Sequence, residues 1–446
     1  MTAAAYRSEI LYLSADPRKA GAEEAVHHFQ DGLMIVEGGH VAQIGAYEVL
    51  VQKLPNDVAV TAYDNALITP GFIDTHIHFP QTDIIAAYGA QLMDWLQSYT
   101  FPAEAAFADP THARAAAKFF VEELLRNGTT SALVFATVHA TSVDALFEAA
   151  LEKNLRLISG KVLMDRNAPE NLRDGADHGF AESAALLKRW RGRGRLGYAI
   201  TPRFAPTSTR EQLEMAGVFM RDNPDLLLQT HLSENKAEIN FTRELFPEAK
   251  DYLDVYDRYG LLTDRSVFAH ALHLPDGAFR RLAEADASIA FCPTSNLFLG
   301  SGLFDLARAE RAGVHVALGT DVGAGTSFSM LQTLKAAYKV GQLGDYSLDP
   351  FTSFYLATLA GAEALGLSGK IGHLAPGAEA DFLVLDLAAT PLISRRMNAA
   401  QSLSEKLFVL SVLGDDRAVA RAYAAGALVH DRDAPPAVTP ALRSAE

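Results

Sequence analysis

Residues Pro70–Gln81 read PGFIDTHIHFPQ. Pro70 and Gly71 mark a turn, an apolar run follows, and two histidines stand one residue apart at its end. In an extended strand, residues i and i+2 project from the same face, so His76 and His78 point together while Ile77 points away. Two imidazoles aimed at one point can share a metal ion. An H-x-H pair also arises by chance on solvated strands, so the rest of the chain decides its meaning.

From Thr69 onward, short runs rich in β-branched and apolar residues alternate with longer helical stretches. The clearest unit is ADPTHARAAAKFFVEELLRNGTTSALVFA. There Asp109 stands where an N-cap belongs, Pro110 fits the first helical position, and Gly128 follows the last turn as a cap. A strand over Ser131–Phe135 then begins almost at once. The pattern yields eight strands: ITPGFIDTHIHF, TSALVFA, LRLISGKVLM, LGYAITPRFAP, LLLQTHLSE, SVFAHALHL, SIAFCPTSN and HVALGTDVG. Strand and helix alternating eight times predict a parallel (β/α)8 barrel over residues 68–370. Residues 1–67 and 371–446 alternate with a short period instead, as in LMIVEGGHVAQIG and GAEADFLVLD, and predict a smaller β-domain built from both chain ends. A Pro/Ala-rich tail after Asp431 is expected to be loose.

With 446 residues, 49% hydrophobic and 21% charged, the chain can bury a large core. Its net charge of −15 argues against an extended nucleic-acid surface. The one basic cluster, KRWRGRGR at Lys188–Arg195, reads as a solvated loop. Cys292 is the single cysteine, which excludes a disulfide framework and a zinc site built on paired thiolates. With no base beside it, Cys292 reads as a packing residue. The N-terminal segment lacks the apolar run of a signal peptide, and no stretch approaches the roughly 18 apolar residues of a spanning helix. A soluble cytoplasmic protein with no membrane or nucleic-acid partner is expected.

In such a barrel the reactive groups lie where strands run into the following loops. Those positions hold His76 and His78 on the first strand, Arg203 on the fourth, His231 on the fifth and His270 on the sixth. Asn296 follows the seventh and Asp321 ends the eighth. Three imidazoles and a carboxylate form a borderline-hard donor set suited to Zn²⁺, with Fe²⁺ as the alternative. Glu234, three residues after His231 in HLSEN, can shuttle a proton from water to a ring nitrogen or a leaving amine. AHALH offers both His270 and His273; odd spacing puts them on opposite faces, and His270 is favoured for the site. His112 and His315 read as surface or packing residues. Gly192, Gly194 and Gly197 match G-x-G-x-x-G but precede a strand, which fails the context that a phosphate loop needs.

PGFIDTHIH, THLSEN, SVFAHALHL, LGTDVG and GHLAPGAEADFLVLD resemble, in order, the marks of the amidohydrolase superfamily. The resemblance implies a distorted (β/α)8 TIM-type barrel with a small β-sandwich domain formed by the N- and C-terminal segments. No lysine stands where a bridging carbamylated lysine would serve a second metal, which implies one ion. HFPQTDIIAAYGAQLMDWLQSYTFPAE, ITPRFAPTST and FCPTSNLFLGSG are most similar to the guanine deaminase family. That resemblance implies conversion of guanine and water to xanthine and ammonia by a homodimer. It implies zinc on His76, His78, His231 and Asp321, with Glu234, His270 and Asp321 assisting the chemistry. Gln81, Arg203 and Phe204 would line the purine site together with His231, Glu234 and Asp321.

These roles suit the chemistry of the groups. A guanidinium can donate to a ring carbonyl, a primary amide offers both a donor and an acceptor, and a phenyl ring gives an apolar wall. Arg203 could instead pair with a carboxylate, and Gln81 could cap the turn after Pro80. Met93–Pro102 could be a pocket lid or ordinary packing. A related hydrolase acting on another aminopurine, a pterin or a triazine, and a catalytically idle barrel, remain the competing readings. Adenine lacks the carbonyl that Arg203 would recognise.

Overall fold

The computed structural model describes residues 3–89 and 91–434, so positions 435–446 of the Pro/Ala-rich tail lie outside the described residues. The chain opens with β1 (Ala4–Leu13), β2 (Val26–Glu37), β3 (His40–Ala46) and β4 (Val60–Pro70). Nine further strands form the barrel: β5 (Phe72–His78), β6 (Thr129–Phe135), β7 (Arg156–Gly160), β8 (Val162–Leu163), β9 (Gly197–Pro202), β10 (Leu227–Leu232), β11 (Ser266–His270), β12 (Ser288–Phe291) and β13 (His315–Leu318). They pair in parallel in the order β5-β6-β7-β9-β10-β11-β12-β13. The third stretch, expected as one strand, divides at Lys161, and β8 carries its pairing with β9 onward through Val162↔Thr201. Gly160 is required there, because a Cβ would meet the Ala199 carbonyl oxygen at 1.8 Å.

The ring closes between its first and last strands. Thr75 Oγ1 donates to Leu318 O at 2.8 Å, and the backbone N–H groups of Asp321 and His78 donate to His76 O and Val322 O, each at 2.8 Å. Outside the ring, helices shield the strands. The helix Pro110–Arg126 begins where Asp109 accepts from Thr111 N, and it turns its apolar stripe, including Phe120 and Leu124, into the core. Gly128 leaves it with φ +81°, a left-handed conformation that costs a residue with a Cβ, and β6 starts at the next residue.

The two chain ends meet in a seven-stranded sheet, completed by β14 (Phe382–Asp386), β15 (Val419–Ala424) and β16 (Ala427–Asp431), in the order β16-β15-β14-β4-β1-β2-β3. Tyr6, Phe382 and Tyr423 anchor one face, with the Phe382 and Tyr423 rings stacked at 4.2 Å. Only Gly71 separates β4 of this sheet from β5 of the barrel, so the terminal sheet is fused to the strand bearing the two histidines. The basic stretch Lys188–Arg195 is tied into acidic partners. Arg189 pairs with Asp144, Arg191 with Asp225, and Arg195 with Glu379 and Asp381 of the C-terminal segment at 2.7 Å each. No helix among the described residues is long and apolar enough to cross a membrane.

Where the sequence suggested short-period β-structure after residue 371, two helices intervene, Pro391–Asn398 and Leu403–Leu413. The second reads LSEKLFVLSVL, an apolar run whose periodicity does not separate strand from helix. Ser402 caps it by accepting from Glu405 N, and Leu407, Val409 and Leu410 enter the main core. Leu410→Ala is therefore expected to destabilise the protein by about 2–5 kcal/mol in urea unfolding. Leu392→Ala, at a side chain 61% exposed, is expected to shift stability by less than about 0.5 kcal/mol.

Candidate metal centre

The barrel closure described above brings the last strand's end against the first. Asp74, fully buried, accepts from the backbone N–H groups of His76 and Thr320, both at 3.1 Å, and from the Thr320 hydroxyl. Gly319 permits this approach, since a Cβ there would stand 2.8 Å from His76 Cβ and 3.0 Å from Cys292 Sγ. The consequence is a tight cluster. His76 Nε2 and His78 Nε2 lie 3.2 and 3.3 Å from Asp321 Oδ1. His78 Nε2 also lies 3.3 Å from His76 Nε2 and 3.1 Å from His231 Nε2. Ligand-type atoms of His76, His231, His270 and Asp321 all fall within 4.8 Å of one another.

Two of the rings, His231 and His270, are held by a neighbour at Nδ1 that leaves Nε2 facing the cluster. His231 Nδ1 donates to the Arg203 carbonyl at 2.7 Å, which places the lone pair on Nε2. Tyr256 donates its hydroxyl to His231 O at 2.8 Å, fixing the end of β10 from behind. His270 Nδ1 pairs with Asn296 Oδ1 at 2.9 Å, so its Nε2 is the acceptor; that atom is buried with no hydrogen-bond partner. Ser233, His270, Ala271 and Asp321 have φ of +53°, +72°, +54° and +52°. Such left-handed residues cost about 1–3 kcal/mol each and tend to collect at functional sites.

Burial depresses the basicity of His76, pushes His78 down to about 3, and holds His231 well below the usual imidazole range. These rings are neutral, the form that ligates metals. For Asp321, burial works against ionisation, but the adjoining His76 and His78 outweigh it and hold the carboxyl well below its ordinary range. The Nε2 atoms of His76, His78 and His231 and Asp321 Oδ1 converge through contacts of 3.1–3.3 Å, an arrangement in which one cation would accept all four donor atoms together. The donor set and the unpartnered His270 Nε2 therefore fit a single divalent ion.

A cavity opens over this cluster, lined by His78, Gln81, Leu92, Trp95, Leu96, Arg203, Phe204, His231, Glu234, His270, Leu299, Asp321 and Ala324. Every residue expected at the purine site reaches its wall. Glu234 lies 3.5 Å from His270 Nε2 and accepts from Ser301 Oγ at 3.2 Å. Burial, reinforced by the Asp321 carboxylate, pushes it up to about 8, a poise suited to carrying a proton near neutral pH. Between the two candidate histidines, the structure brings His270 to the site. His273 points elsewhere and bonds Ser301 O at 2.8 Å. Trp95 and Leu96, from the segment that could have been lid or packing, form part of the cavity wall beside Leu92, while Trp95 remains 2% exposed.

The sequence pattern did not disclose Glu104, which accepts from Arg203 Nη1 at 2.7 Å. Its one signal was an acidic residue in the apolar stretch YTFPAEAAF. Cys292 is fully buried, and burial raises its thiol well above the ordinary range, so it packs instead of reacting. A second trio, Asp174, His178 and Glu182, includes two carboxylates that pair with the buried ammonium of Lys161, which already supplies the positive charge there.

The amidohydrolase family profile matches residues 67–429. The chain is 52% identical over 409 residues to a guanine deaminase of Escherichia coli, covering 92% of this chain and 93% of the relative. It superposes on the solved E. coli guanine deaminase with a TM-score of 0.93 and 48% identity, covering 97% of this chain and all of the other. A guanine deaminase structure from C. acetobutylicum with guanine bound in its active site matches with a TM-score of 0.87 and 26% identity, over 96% of this chain and all of the other. The chain belongs to the amidohydrolase family.

Proposed function

We propose that this chain hydrolyses the exocyclic amine of guanine, giving xanthine and ammonia, with one zinc ion held by His76, His78, His231 and Asp321. A cytoplasmic homodimer completes the proposal, as the family resemblance implies; the single cysteine suits a reducing compartment. One observation carries the reading: a buried His/Asp cluster and Glu234 share a cavity with a guanidinium and a primary amide. A purine carrying both a ring carbonyl and an amine answers to both halves.

When bound, the metal acts as a Lewis acid that lowers the pKa of water toward about 7. The chain supplies the rest. Arg203 donates to the ring carbonyl, Gln81 meets the ring edge with a donor and an acceptor, and Phe204 bounds the ring. Glu234 takes a proton from water as the oxygen bonds to the amine-bearing carbon, and passes that proton to the adjacent ring nitrogen. The C=N electron pair moves onto that nitrogen. His270 and Asp321 stabilise the added hydroxyl of the tetrahedral intermediate. Its remaining proton then transfers to the amine through Glu234, the C–N bond breaks with its electron pair leaving on ammonia, and the carbonyl of xanthine forms.

The direct test is ammonia release from a panel of aminopurines, with bound metal measured on the same preparation. Guanine is the expected substrate; no guanine turnover by metal-replete protein would refute the assignment. Chelation should abolish turnover and zinc should restore it, while His231→Ala should hold far less metal by elemental analysis. Glu234→Gln should bind metal normally yet lose about 10²–10⁴-fold in kcat, because an amide cannot carry the proton. Arg203→Ala should lower guanine kcat/KM by about 10–100-fold while leaving the metal content intact.

A further inference from the structure

Arg203 is 3% exposed, and its guanidinium needs a counter-charge that a neutral purine does not bring. The structure provides one from a distant part of the chain. Glu104, 0% exposed, lies on the short helix Phe101–Ala105 between β5 and the helix Pro110–Arg126. Both of its carboxylate oxygens accept from Arg203 Nη1, at 2.8 and 2.7 Å. From the same helix, the Phe101 ring lies under the guanidinium, with its centroid 5.6 Å from Arg203 Cζ. The guanidinium is thus gripped at one edge and one face, and Nε–H and the Nη2 protons are left for a ligand in the cavity that Arg203 lines.

Gln81 is fixed by the same carboxylate. Its Nε2 donates to Glu104 Oε1 at 3.1 Å while its Oε1 accepts from Gly323 N at 3.2 Å. Turning the amide over would set oxygen against a carboxylate and an NH2 against an N–H. Only one orientation is allowed, with one donor and one acceptor site left for the purine edge.

We infer that Glu104 is a positioning residue that sets the specificity for a neutral purine bearing a ring carbonyl, by neutralising and orienting Arg203 and by fixing the Gln81 amide. The inference rests on the assignment of Arg203 and Gln81 to the substrate under Proposed function. Glu104 hydrogen-bonds Gln81 and Arg203, not the metal ligands or Glu234, so its effect is on recognition. Pre-ordering a long side chain removes an entropic cost that binding would otherwise carry.

The test compares guanine with 2-aminopurine, which keeps the amine but lacks the ring carbonyl, as substrate or competitive inhibitor. In Glu104→Gln, metal content should match the parent, KM for guanine should rise roughly tenfold or more, and kcat should change less. The preference for guanine over 2-aminopurine should fall by a similar factor, a readout that a merely structural role would not move. Arg203→Gln should collapse the same preference, and adding Glu104→Gln to it should change the preference no further. That doubly neutral pair buries no lone charge, so it remains measurable if Glu104→Gln alone does not fold. A metal-loaded Glu104→Gln with the parental preference, beside a collapsed Arg203→Gln, overturns the positioning role and leaves the substrate assignment standing. A double variant whose preference departs tenfold from that of Arg203→Gln also overturns it. An Arg203→Gln protein with unchanged preference overturns the assignment beneath it and the inference together.

Discussion

Asp74 carries the seam on which the site depends. Its buried carboxylate accepts from His76 N, Thr320 N and the Thr320 hydroxyl, joining the first barrel strand to the turn after the last. Burial pushes Asp74 up to about 6, against the pull of those donors, so the group is costly unless all of its bonds are made. Asp321 N donates to His76 O across the same seam. Together these bonds set a carboxylate from one end of the barrel sequence against two imidazoles from the other. His231 and His270 come from the opposite side of the ring, and His231 is pinned by the Arg203 carbonyl and Tyr256.

The cluster is an arrangement of charge held in advance. Burial disfavours the charged forms of His76, His78 and His231, Asp321 is held well below its ordinary range beside His76 and His78 despite its own burial, and Glu234 is poised higher by burial and by Asp321. A divalent cation would accept these donor atoms together. Left-handed backbone at Ser233, His270 and Asp321 is tolerated because the surrounding bonds over-determine it. Arg203, Gln81 and Glu104 form a separate hydrogen-bonded group beside the cluster.

Much of this was legible in the chain because it follows period and position. Alternating apolar runs and capped helices specify eight parallel strands, and strand ends then identify His76, His78, His231, His270 and Asp321. His270 and His273 do part company, but not through strand spacing: the strand ends at His270, and left-handed backbone at His270 and Ala271 turns the chain before His273. What stayed hidden depends on contacts between segments that no local pattern links. Glu104 and Arg203 lie 99 residues apart; the strand end singles out Arg203 and admits a carboxylate partner, but no local pattern names Glu104 as that partner. Lys161 and Asp174 are likewise an acid and a base in different elements until the fold joins them. The helix Leu403–Leu413 was obscured for another reason: an apolar run on both faces carries no period to read.

The central claim is that one cation belongs among His76, His78, His231 and Asp321. Anomalous diffraction at the zinc edge from crystals of the zinc-loaded protein measures this directly. The account predicts one peak per chain, about 2.0–2.2 Å from a nitrogen of each of the three histidines and an oxygen of Asp321. A peak elsewhere, two peaks in the cavity, or none in protein that turns over guanine would contradict it.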